Sequence, residues 1–203
     1  MKLTPILAVL ALVITPAVAS ATTRWYLERQ PIAEGQTAEV LATSKRLEVV
    51  LKVPKQTAVR IPCFAEGVEA FWNTPQGGKD QTRSISFACS AAPCGEARVT
   101  PRLPWSSTLL ESAVPLHDRW EGVSLHLTCG GTNYGTFSGS LEAKVGDVDP
   151  SGTPEKDDVD NVMAWKGGVN GAHLDAPSGA MVWFSGGYDL GSKATGTRVA
   201  DEP

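Results

Sequence analysis

Four stretches of the chain place an apolar residue at every second position, and that period decides what the chain can become. In "RLEVVLKV", Leu47, Val49, Leu51 and Val53 share one face while Glu48 and Lys52 take the other. After a break at Pro54-Lys55-Gln56, "TAVRIPC" continues with Val59, Ile61 and Cys63. "RSISFAC" gives Ile85, Phe87 and Cys89, and "GVSLHLTC" gives Val123, Leu125, Leu127 and Cys129. Successive side chains leave a strand in opposite directions, so this period specifies antiparallel strands with one buried face. Helical periodicity is almost absent, and turn residues punctuate the chain at "TPQGGKD", "CGGTNYG" and "APSG". The expected fold is all-β: an antiparallel two-sheet β-sandwich over residues 22–145, stabilised by disulfides. Cys63, Trp72 and Cys129 imitate an immunoglobulin core, but Leu127 stands where that plan needs a tyrosine. The sandwich reading is kept and the immunoglobulin one dropped.

The chain opens with Lys2, an apolar run from Ile6 to Ile14 and the small residues Ala17-Val18-Ala19-Ser20-Ala21. A basic start, a short apolar segment and an A-x-A-like exit form a secretory signal peptide, assigned to residues 1–21. As a helix the apolar run reaches only about 14 Å, short of a bilayer core. No later stretch is apolar enough to span a membrane, so the mature chain is expected to be exported without a membrane span, to periplasm, cell surface or medium.

Export governs the reading of the four cysteines, Cys63, Cys89, Cys94 and Cys129. In an oxidising compartment an even number reads as disulfides, whereas "CSAAPC" in the cytosol would suggest a redox or metal pair. Three connectivities exist; Cys63–Cys129 with Cys89–Cys94 is favoured, and its chief rival pairs Cys63 with Cys89 and Cys94 with Cys129.

After "YGTFSGSLEAKVG" the composition shifts. Residues 146–161 form an acidic Pro/Gly linker or long loop, and residues 162–203 a C-terminal hairpin segment with a polar tail. Within that segment "GAHLDAPSGAMVWFSGG" reads as two short strands around a turn at Ala176 to Gly179. This β-hairpin appendage either pairs onto the main sheet or makes a small flap.

From Trp25 to about Val199, landmarks follow in a fixed order: "WYLERQPIAEG", "VRIPCFAEG", "TPQGG", "FACSAAPC", "RLPWSSTLL", "GVSLHLTCGG", "GTFSGSL" and "HLDAPSGAMV". Together they resemble a family of exported bacterial β-proteins marked by four cysteines with "LPW" between the third and fourth. The resemblance implies an exported bacterial β-protein and brings no activity with it.

Candidate sites are few. "DVDPSGTPEKDD" places Asp147, Asp149, Ser151, Glu155 and Asp158 near the oxygen-ligand positions of a calcium loop, with Gly152 at the sharp turn. Pro154 stands where such a loop needs a backbone N–H, and the flanks are not amphipathic helices, so a solvated linker is the preferred reading. The six tryptophans include Trp25-Tyr26 and Trp183-Phe184, adjacent aromatics on opposite strand faces; one of each pair would be free to stack on a sugar ring. Trp72 and Trp105 are assigned to packing.

His117-Asp118 and His173-x-Asp175 are drawable as His–carboxylate pairs, and His126 takes the outward phase of its strand. Neither pair adjoins a nucleophile motif, and Ser138 in "GTFSG" has the wrong offset. A net charge of −4 argues against nucleic acid and anionic membranes. The expectation is a non-enzymatic binding, surface or structural module without a cofactor, its partner an unknown protein or surface glycan. The alternative is a carbohydrate- or calcium-binding exported module.

Overall fold

The alternation becomes one continuous antiparallel ladder. The computed structural model describes residues 23–27, 30–110, 117–145, 162–192 and 199–200. In chain order its strands are β1 (Tyr26–Leu27), β2 (Gln30–Pro31), β3 (Ala38–Lys52), β4 (Val59–Thr74), β5 (Gly77–Cys89), β6 (Ala97–Pro101) and β7 (Trp105–Leu110). β8 (His117–Cys129), β9 (Thr132–Val145), β10 (Val162–Lys166), β11 (Leu174–Asp175), β12 (Met181–Ser192) and β13 (Val199–Ala200) complete them. No helix occurs among the described residues.

Within the large sheet β3 pairs with β4, β4 with β5, β5 with β7, and β8 with β9. β6 and β7 both pair with β8 and together take one place in the wall. β10 and β11 likewise share one place, each bonded to β9 on one side and β12 on the other. β12 then pairs with β3 from Met181↔Lys52 to Ser192↔Val40, and the ladder returns to its start. The two facing layers expected from the alternation are thus opposite walls of one closed sheet. The C-terminal hairpin turns at Ala176–Gly179, where the Gly179 N–H donates to the Ala176 carbonyl at 2.9 Å, and it takes the first of its two expected courses, joining the main sheet.

Inward positions carry the core: Leu47, Val49 and Leu51 on β3, Ile61 and Ala65 on β4, Leu125 and Leu127 on β8, Phe137 and Leu141 on β9, and Phe184 on β12, all fully or almost fully buried. Trp165 joins them from β10, its ring centroid 4.6 Å from Trp120 and 5.4 Å from Phe184. Such aromatic pairs add about 1 kcal/mol each beyond their area burial. Trp105 is buried, as assigned, while Trp72 is half-buried on the outer wall.

β4 and β5 come unusually close at Gly67. A Cβ there would stand inside the contact distance of the Ser84 carbonyl oxygen, which is backbone and cannot swing away. Gly67→Ala is therefore expected to lose about 2–3 kcal/mol, in the range of core overpacking. Urea denaturation checks this, and an unchanged midpoint would show that the two strands separate freely.

The disulfides follow the ladder. Cys63 and Cys89 are direct register partners on β4 and β5, and they are bonded. Cys94, in the turn after β5, is bonded to Cys129 at the end of β8. This corrects the favoured connectivity: Cys63–Cys129 and Cys89–Cys94 do not form, and the rival does. The physical reason is the register: β4 and β5 are adjacent antiparallel strands and bring Cys63 opposite Cys89.

Candidate functional site

The inward phase of β4 runs Ile61, Cys63, Ala65, Gly67 and then, without a break, Glu69, Phe71 and Asn73. A carboxyl therefore enters the core on the apolar phase. Two more meet it from neighbouring walls, Asp80 on β5 and Asp118 on β8. Glu69 is 6% exposed and both aspartates 0%. Thr82 is the register partner of Glu69, and Ser107 that of Asp80. Ser107 Oγ donates to Asp118 Oδ2 at 3.0 Å. Glu69 Oε2, Asp118 Oδ1 and both oxygens of Asp80 have no hydrogen-bond partner, and neither has the Tyr188 hydroxyl. The buried polar and charged residues are Ser44, Glu69, Asn73, Asp80, Thr82, Ser107 and Asp118, so among the described residues no cation shares this interior.

Three carboxyls without a base favour their protonated forms. Loss of hydration pushes Asp80 up to about 6; Asp118 and Ser107 lie near enough to offset part of that rise, though neither closes a well-formed hydrogen bond to its oxygens. Glu69 is raised well above the ordinary carboxylate value, first by burial and then by the charge of Asp80, with Thr82 opposing. Asp118 is raised by burial, then by Asp80 and Glu69, with Ser107 opposing. Burial, and next Glu69, also raises the Tyr188 phenol. Among the described residues no three His, Cys, Asp or Glu side chains are arranged to hold a metal ion. What this cluster can do chemically is take up and release protons.

One end of this polar interior is capped by the segment before β3. Trp25 is 1% exposed and meets Phe71 edge-on at 4.6 Å. The Trp25 N–H donates to Asn73 Oδ1 at 2.7 Å, and Asn73 Nδ2 donates to the Trp25 and Ile32 carbonyls, both at 2.8 Å. Gly78 leaves room for the indole: a Cβ there would lie 2.8 Å from Trp25 Cδ1 and 3.3 Å from Leu109 Cδ2. β1 pairs with β2 and with β13 in a separate small sheet.

A second feature lies outside the wall. Glu142 on β9 and the connection between β10 and β11, with Gly167, Gly168, Asn170, Gly171 and Ala172, line an open groove of about 460 Å³. Glu142 contacts His117 Nδ1 across the outer face. His173 Nδ1 is 2.7 Å from the Gly171 carbonyl, and its Nε2 is 3.5 Å from Asp175 Oδ1.

The structure thus redistributes the sequence candidates. His117 and Asp118 point to opposite sides of β8, so that pair does not form; His117 meets Glu142 and Asp118 joins the buried acids. His173 and Asp175 do lie on one face. His126 is half-buried on the outer phase, and Ser138 Oγ donates to Ser124 Oγ at 3.2 Å. Both members of Trp183-Phe184 are buried, because Trp183 is pressed against Gly167 outside the wall while Phe184 faces in. Trp25 is buried and Tyr26 half-buried. Asp147, Asp149, Ser151, Glu155 and Asp158 lie outside the described residues, as does the leader. Comparison with protein-family models, curated proteins and solved structures finds no match to this chain.

Proposed function

We propose that the protein is an exported, non-catalytic binding module that presents its ligand surface on the outside of a closed, filled sheet. The supporting observation is the packing. Trp105, Trp120, Phe137, Phe184 and Leu141 occupy the interior, so recognition falls to the outer wall and its connections, where the groove beside Glu142 is found. Rigid walls carrying irregular connections are the usual platform for binding residues. The outer wall also carries Arg119 and Glu121 on β8 and Glu142 and Lys144 on β9, which reverses the apolar-outside pattern of a lipid-facing barrel. Two disulfides suit an oxidising compartment.

Gly168 offers the test, since a Cβ there meets nothing within 4 Å. Gly168→Trp would fill the groove without straining the fold. The expected result is an unchanged melting temperature with loss of the cross-linked partner that the wild-type protein captures in its native envelope. Equal capture by both proteins would remove the groove from the binding surface.

A further inference from the structure

We propose that the Trp25 segment is a pH-operated closure, held shut over the barrel end while Glu69, Asp80 and Asp118 carry protons and released when they lose them. This goes beyond the binding reading and does not rest on it.

The geometry connects the closure to the acids. The Trp25 indole rests on Phe71 and Gly78. Phe71 is the register partner of Asp80, and Gly78 lies two residues from Asp80 on the same buried phase of β5. Leu109, which borders Gly78, is the register partner of Asp118. The closure therefore covers the level of the core at which two of the acids sit, with Glu69 two residues beyond Phe71 on β4.

Around these acids the described residues supply groups from several walls. β4 contributes Glu69, β5 Asp80 and Thr82, β7 Ser107, β8 Asp118 and β12 Tyr188, and the buried indole N–H of Trp25 has no hydrogen-bond partner. The cations adjacent in sequence turn outward: Lys79 Nζ donates to Thr108 Oγ1 at 2.7 Å, and Arg119 Nε is 3.5 Å from Glu121 Oε1. Ionisation inside therefore meets no compensating charge among the described residues. An anion in that position must find water. The Trp25 segment closes its end of the interior with one side chain and a few hydrogen bonds, so its release would admit that water. Two of those bonds report directly on the closure, Gly78 N–H to the Thr23 carbonyl at 2.8 Å and Trp25 N–H to Asn73 Oδ1 at 2.7 Å.

Amide hydrogen exchange on the full disulfide-bonded protein tests this, corrected for the intrinsic pH dependence of exchange. Between about pH 5 and about pH 8, protection at Trp25 and Gly78 is expected to fall at least about tenfold more than in the β8–β9 ladder around Leu125 and Phe137. In Glu69→Gln/Asp80→Asn/Asp118→Asn the difference disappears, and the closure stays protected at both values. Should the triple variant fail to fold, Asp80→Asn alone is expected to reduce the differential loss. Uniform loss of protection across all four sites in the wild type, or a differential loss unchanged in the amide variants, would overturn the proposal.

Discussion

With all four cysteines replaced by alanine, the protein is expected to be largely unfolded at about 37 °C. Cys63–Cys89 and Cys94–Cys129 close loops with sequence separations of 26 and 35 residues. In the chain-entropy account these are worth about 3.5 and about 4 kcal/mol, together about 7. Domains are commonly stable by only about 5–15 kcal/mol, so that loss consumes from about half to all of the margin. The two bridges also act at different places. Cys63–Cys89 joins residues already opposite each other in the ladder, whereas Cys94–Cys129 ties the turn after β5 to the end of β8. Urea denaturation with and without reductant is the measurement. A midpoint that moves by less than about a tenth would mean that the core alone holds the sheet.

The second large effect is an inverted pH dependence. The sign follows from the direction of the shifts. Glu69, Asp80 and Asp118 are all raised in the folded protein, so the unfolded chain releases their protons at lower pH than the folded one. Their contribution is fully present below the ordinary carboxylate range near 4 and is lost as pH rises from there through the folded values, the loss for Asp80 being complete just above its value of about 6. For Asp80 alone, a rise from 3.8 to about 6 corresponds to about 3 kcal/mol at about 1.4 kcal/mol per unit. The wild-type protein should therefore melt higher near pH 5 than near pH 8, by at least several degrees. Asp80→Asn should raise the melting temperature at pH 8 and flatten the profile, because the amide keeps the shape and cannot ionise. A wild-type profile that rises from acid to neutral would show that these carboxyls are ionised and solvated in the folded state.

How much of this could be read from the residues differs from strand to strand. β3 and the first half of β4 were plain, since their alternation is unbroken and one face is apolar. Glu69 was equally legible: extending the phase of Ile61, Cys63 and Ala65 by two steps past Gly67 places it inside. Asp80 and Asp118 were hidden by irregular pairing. Counting back from Val123 assigns Glu121 and Arg119 to the core, but the register shifts between Trp120 and Val123 and turns Trp120 and Asp118 inward instead. The shift between Val68 and Glu69 does the same to β5, substituting Thr82 and Asp80 for Arg83 and Gln81. One extra residue in a strand exchanges its faces, and nothing in the local composition announces it. Val50 departs from the alternation for another reason. It takes the outward phase, yet it is fully buried beside its register partner Trp183, which the Gly167 turn covers; such a cover comes from residues distant in the chain.

Return of the last long strand to the first has a consequence for synthesis. Until Met181 to Ser192 emerge from the ribosome or a translocation pore, β3 has only β4 beside it, and β10 and β11 only β9. A nascent chain of that length displays two raw borders of unpaired amides and carbonyls, each able to recruit a strand from another molecule. The twelve residues of β12 act as the fastener that removes both hazards at once, so a prematurely terminated product is the form most prone to aggregate.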